Sequence, residues 1–133
     1  MISEKADLHP TKLIIDKSAI AHNIRNYRQV LDAGTQIMLM IKALGYGIGD
    51  TELAKYLEKE ALVDYLGVAY VNEGIALRED GISLPIMVMN TGVIDLEKVI
   101  AFDLEPTIYN PEQLGALLSA NPNDIKRIKA HFK

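Results

Sequence analysis

The chain has 133 residues, 49% of them hydrophobic and 24% charged, an ordinary globular composition with enough apolar side chains for one core. Fourteen Lys and Arg against eighteen Asp and Glu leave a net charge of −4 and no long basic run, so neither a nucleic-acid partner nor a membrane surface is expected. The absence of cysteine excludes disulfides and thiolate metal sites, and no metal centre is expected.

From the start, residues 1–12 are polar and lack the apolar core of a signal peptide, and the longest apolar stretch, Ile37 to Ile41, is far short of a membrane span. A cytoplasmic protein is the expectation. Lys12–Asp16 reads as a possible short strand. Ser18 can cap a helix whose Ile20, Ile24, Tyr27 and Leu31 form one stripe. A first apolar strand covers Ile37–Ala43. Asp50 precedes a second helix with Leu53, Ala54 and Leu57 on one side, before a strand at Asp64–Tyr70. Asn72 starts a third helix that ends at the Asp80-Gly81 turn, and Leu84–Asn90 is the next strand. Asp95 opens a fourth helix with Leu96, Val99 and Ile100, ahead of the strand Leu104–Tyr109. Asn110-Pro111 is a cap followed by a first-turn proline, with Leu114, Leu117 and Leu118 to follow. A last strand spans Arg127–Lys133.

Strands that are near-continuous apolar runs, alternating with helices, predict an α/β fold with parallel strands covered on both faces. A closed eight-strand barrel typically needs about 250 residues. The chain supplies about five of those strands and stops inside a strand-like run, so the expectation is a partial (βα)8 TIM-type barrel, a fragment of a longer chain. The alternative is a complete flavodoxin-like five-strand domain.

The most informative stretch is Ile37-Met38-Leu39-Met40-Ile41-Lys42-Ala43-Leu44-Gly45-Tyr46-Gly47-Ile48-Gly49-Asp50. Strand alternation puts Lys42 on the face of Met38 and Met40, at a strand's carboxyl end, where barrels place their chemistry. A lysine desolvated there becomes a usable amine nucleophile. Gly45, Gly47 and Gly49 permit positive φ and close approach of a ligand, with Tyr46 displayed between them, and the next helix could offer N–H groups to an anion.

This segment resembles the cofactor-lysine motif of alanine racemases, V-K-A-[DN]-A-Y-G-H-G. Lys42, Ala43, Tyr46, Gly47 and Gly49 match. Leu44, Gly45 and Ile48 depart from it and look closer to the branch fused behind a muramoyl-peptide ligase. Leu13–Asn23 resembles the family's opening, and Asp64–Gly74 with Leu77, Arg78, Gly81 and Ile82 its second barrel strand and "E-G-x-x-L-R-x-x-G-I" helix. Pro85–Met89 and Leu104–Tyr109 look like its third and fourth strands, and His131-Phe132-Lys133 like the start of "H-[LF]-K-[VI]-D-T-G-M-x-R".

The resemblance implies a cytoplasmic, pyridoxal 5'-phosphate-dependent isomerase that interconverts L- and D-alanine for peptidoglycan synthesis, a homodimer in its intact form. It implies Lys42 as the residue that binds the cofactor and as one of two catalytic bases, and Tyr46 near the cofactor phosphate. The second base would be a tyrosine of the partner subunit's carboxyl-terminal domain, outside this chain. Lys133 falls at a position carbamylated in some members. Residues 17–133 would be the amino-terminal part of the cofactor-binding barrel, and residues 1–16 a segment belonging with a β domain beyond the chain. Other readings are a non-catalytic pyridoxal-phosphate carrier on the same barrel, which Tyr46 argues against, and a racemase for another amino acid such as serine. His22 and His131 are read as surface and strand residues without a role, and Asn72 and Glu73 as a helix cap and first-turn acid.

Overall fold

The structure, a computed structural model, describes residues 11–120 and 128–133. Residues 11–16 carry no strand. Helix α1, Lys17–Val30, is capped by Asp16, whose Oδ1 accepts from the N–H of Ser18 (2.9 Å) and Ala19 (3.1 Å). Ser18, the expected cap, lies inside the first turn and donates its hydroxyl to the same oxygen. That hydroxyl bond and the two backbone N–H groups hold the Asp16 carboxyl below the usual carboxylate range.

Strand β1, Met38–Met40, follows, then a left-handed turn at Lys42–Tyr46 and helix α2, Asp50–Lys59. Next come β2 Tyr65–Tyr70, α3 Val71–Glu79, β3 Ile86–Asn90, and a short 3-10 turn at Val93–Asp95. Then come α4 Leu96–Ala101, β4 Glu105–Ile108, α5 Pro111–Ser119 and, after residues 121–127, β5 His131–Phe132. Every expected strand from Ile37 onward is present but shorter; β1 stops at Met40, opposite Gly67, just before the backbone turns left-handed at Ala43. Helix α3 starts at Val71, one residue ahead of Asn72, since Tyr70 already occupies the cap position. Arg127 lies outside the described residues.

All five strands are parallel and pair in chain order, β1-β2-β3-β4-β5. A flavodoxin-like domain orders its strands 2-1-3-4-5, so that alternative is overturned. The arrangement is that of a partial barrel.

One sheet face carries Leu66, Val68, Ile86 and Val88, packed with Leu53, Ala54, Leu57, Leu77 and Val99 from the helices in a single buried cluster. Alternation sends Met38, Met40, Gly67 and Met87 to the other face. A Cβ on Gly67 would stand 2.3 Å from the Met40 sulfur, so a larger residue there would require the flexible Met40 side chain to move. This second face is only half-buried, because five strands do not close a barrel.

Candidate active site

The carboxyl ends of the strands gather the residues singled out by the sequence. Ile41 is 1% exposed in the helix-side core and its N–H donates to Gly67 O at 2.9 Å. Lys42 comes next, outside the strand rather than within it, and is half-buried. Among the described residues no polar group bonds to its side chain. Burial without a partner is costly for an ammonium, and it leaves the amine available to an incoming group.

From Lys42 the backbone turns left-handed. Ala43, Leu44, Gly45 and Tyr46 have φ of 53°, 54°, 60° and 56°, and Gly47 and Gly49 have 90° and 97°. The glycines were expected to take this conformation; Ala43, Leu44 and Tyr46 were not. Gly45 N–H donates to Ile41 O, and the N–H groups of Gly47 and Gly49 both reach Leu44 O. Tyr46 is 66% exposed, its hydroxyl free of partners among the described residues. It therefore shares one turn with Lys42. The helix after this turn carries Asp50 and Glu52 in its first turn, charges that disfavour an anion at its N-terminus.

Glu73 bonds to the turn from the neighbouring helix. Its Oε1 accepts from the N–H of Ala43 at 2.8 Å, while Oε2 accepts from Ala69 (2.7 Å) and Tyr70 (3.0 Å). The expected role of a first-turn acid is met, and the link to the residue after Lys42 was not foreseen. On the same rim Met87, Met89, Asn90, Thr107, Tyr109 and Lys133 line an open cleft. Lys133 continues the β5 ladder through its N–H to Ile108 O at 3.0 Å.

At the opposite end of the half-covered face, Glu105 is 8% exposed and bonds to His131 Nε2 at 2.8 Å, with Tyr65 packed edge-on against the imidazole. His131, given no role by the sequence, is thus part of a polar cluster between strands. His22 is exposed on α1 beside Asn26, as expected.

The family described as "Alanine racemase, N-terminal domain" matches residues 15–133. The chain belongs to that family. It is 36% identical over 127 residues to alanine racemase 1 of Caldanaerobacter subterraneus subsp. tengcongensis, covering 95% of this chain and 32% of that protein. It is 40% identical over 121 residues to the alanine racemase of Desulfovibrio desulfuricans, covering 90% and 32%. Among solved structures, alanine racemase from Clostridium difficile 630 superposes with a TM-score of 0.71 at 39% identity, covering 75% of this chain and 27% of that one. The alanine racemase of E. faecalis gives 0.72 at 35%, covering 79% and 28%. The chain thus spans about a third of the length of the curated relatives it matches.

Proposed function

We propose that this chain supplies the cofactor-lysine part of a pyridoxal 5'-phosphate-dependent enzyme that interconverts L- and D-alanine. The observation that carries the reading is Lys42: a half-buried amine, unpartnered among the described residues, on a strained turn at the carboxyl rim of a parallel sheet. The residues present suit the cofactor, with an amine for its aldehyde and, on the same turn, an exposed phenol for its phosphate. When bound, the cofactor supplies an electron sink that makes the amino acid's Cα proton removable. Lys42 binds the cofactor and acts as the base on one face of Cα; the base for the other face belongs to the partner subunit's carboxyl-terminal domain.

Relatives named as alanine racemases support alanine as substrate, and D-alanine supply for peptidoglycan as the role. Leu44, Gly45 and Ile48 favour the branch fused behind a muramoyl-peptide ligase. Residues 1–16 are assigned to a β domain beyond the chain. A homodimer is supported by the apolar rim of Leu44, Tyr46, Tyr70, Ile94 and Tyr109, all at least half exposed. No helix among the described residues is long and apolar enough to cross a membrane. The cytoplasmic location that the family resemblance implies is part of the proposal.

The test is Lys42→Ala in the full-length protein. It should abolish both covalent cofactor attachment and racemisation. Lys55→Ala, whose ammonium only faces Asp80 at 3.5 Å on the surface, should change neither. A borohydride-reducible cofactor retained by Lys42→Ala overturns the assignment.

A further inference from the structure

Glu73 and Gln113 occupy the same position, third in the helix that follows a strand, and each side chain reaches in two directions. Backward along its own chain, Glu73 accepts from the N–H groups of Ala69 and Tyr70, and Gln113 from that of Tyr109 at 2.9 Å. Sideways, each clasps the loop after an earlier strand. There the chemistry differs. Gln113, 2% exposed, donates its amide to Thr91 O, and Glu73 accepts from Ala43 N–H. An amide stands where the neighbouring loop offers a carbonyl, and a carboxylate where it offers an N–H. Only a carboxylate has an acceptor oxygen for both sides.

We infer that Glu73 is a positioning residue for Lys42, holding the left-handed turn so that the amine stays at the carboxyl rim of the sheet. Three features favour this over a simple helix cap. A cap requires only the Ala69 and Tyr70 bonds, and the third bond goes to the residue directly after Lys42. Ala43 and Leu44 hold a conformation that non-glycine residues adopt only when surrounding contacts enforce it. Among the described residues the Lys42 side chain has no polar partner of its own, so its place depends on its backbone. That backbone is fixed on one side by Ile41 N–H to Gly67 O and on the other by Ala43 N–H to Glu73.

The inference rests on the reading of Lys42 given above, and the experiment separates the two. Full-length wild type, Glu73→Asp, Glu73→Gln and the control Glu112→Gln, an exposed first-turn acid of α5, are compared in two measurements. The first is amide exchange at Ala43 without cofactor. The second is the rate at which pyridoxal 5'-phosphate, trapped with borohydride, labels the Lys42 peptide. Aspartate keeps a charge at the helix start but is too short to span both loops. Glutamine can span them but must turn its NH2 toward one set of N–H groups. Both variants should speed Ala43 exchange and slow Lys42 labelling by about 10-fold or more, the range of a lost bond to a charged acceptor. Glu112→Gln should match wild type. Should Glu73→Gln fail to fold, Glu73→Asp decides. Wild-type Ala43 exchange and Lys42 labelling in a folded Asp or Gln variant would reduce Glu73 to a cap and overturn the inference. If the wild-type label falls on another lysine, the reading of Lys42 fails instead, and amide exchange still decides whether Glu73 holds the turn.

Discussion

Ala43, Leu44 and Tyr46 all sit near φ +55°, a region that costs an L-residue with a side chain about 1–2 kcal/mol. Such conformations persist where surrounding bonds enforce them, and they gather at functional sites. Gly45 N–H to Ile41 O, Gly47 and Gly49 N–H to Leu44 O, and Ala43 N–H to Glu73 together enforce this one. The result is a tyrosine pushed out to 66% exposure on the turn that carries Lys42. Because the Tyr46 hydroxyl bonds to nothing among the described residues, Tyr46→Phe should leave the melting temperature of the full-length apoprotein unchanged. If that hydroxyl holds the cofactor phosphate, losing a bond to a charged group weakens cofactor binding by roughly 10- to 150-fold. Equilibrium titration of cofactor into the apoprotein measures this. Unchanged affinity with a large fall in turnover would make Tyr46 a catalytic group instead. The glycines on either side of Tyr46 are visible in the sequence and point to an unusual turn. That Ala43 and Leu44 share its conformation is not, because no side-chain chemistry marks them.

Between elements, two charged side chains do work that sequence patterning shows only as a motif. Arg78, near the end of α3, donates Nε to Phe102 O (3.1 Å), Nη1 to Ile82 O and Leu84 O (both 2.7 Å), and Nη2 to Asp103 O (2.9 Å). Its guanidinium thus ties the end of α3 to the approach of β3 and to the end of α4. Asp64 does the same ahead of β2, its Oδ2 accepting from Ile37 N–H and from Arg28, both at 2.7 Å. The Ile37 bond, then that of Arg28, hold the Asp64 carboxyl below the usual range. Arg78→Lys replaces a planar fork with a single ammonium, which cannot span four carbonyls in three directions. The expected loss is about 2–4 kcal/mol in urea unfolding of the full-length protein, since one bond to a charged group contributes about 1.5–3 and the four are not additive. A loss under about 0.5 kcal/mol, the usual size for a surface change, would mean water replaces the guanidinium readily. The strand and helix order was legible because apolar runs and caps are local signals, and Asn110-Pro111 behaves as read, Asn110 accepting from Gln113 N–H at 2.8 Å. Contacts such as Glu73 to Ala43, Arg78 to Asp103 or His131 to Glu105 join residues at least 25 apart in sequence and depend on strand register, which one sequence does not print.

For the molecule as a whole, the decisive feature is that, among the described residues, five strands in chain order leave both ends of the sheet without a further strand. Beside β1, α1 and the segment before the strand form an apolar groove of about 520 Å³ lined by Ile20, Ile24, Tyr27, Leu31, Ile37 and Leu39. Tyr27 and Leu31, read in the sequence as part of the stripe of α1, remain 68% and 37% exposed, with no described element packed over them. At the other end β5 has no neighbouring strand beyond it among the described residues, and Phe132 is 72% exposed. The half-covered sheet face adds Met38, Met40, Met87 and Met89. An unpaired strand edge next to apolar surface is a template for pairing with another chain. The 133-residue chain, expressed by itself, should therefore associate, with sedimentation coefficients that rise with concentration. It should also show no alanine racemisation, because a second base and most cofactor contacts are assigned to residues outside it. Sedimentation velocity at several concentrations tests the first half, and a coupled D-alanine assay with added pyridoxal 5'-phosphate tests the second. A monomer at high concentration would show that the open edges are covered from within the chain. Measurable turnover would show that Lys42 and its own rim suffice for both faces of Cα.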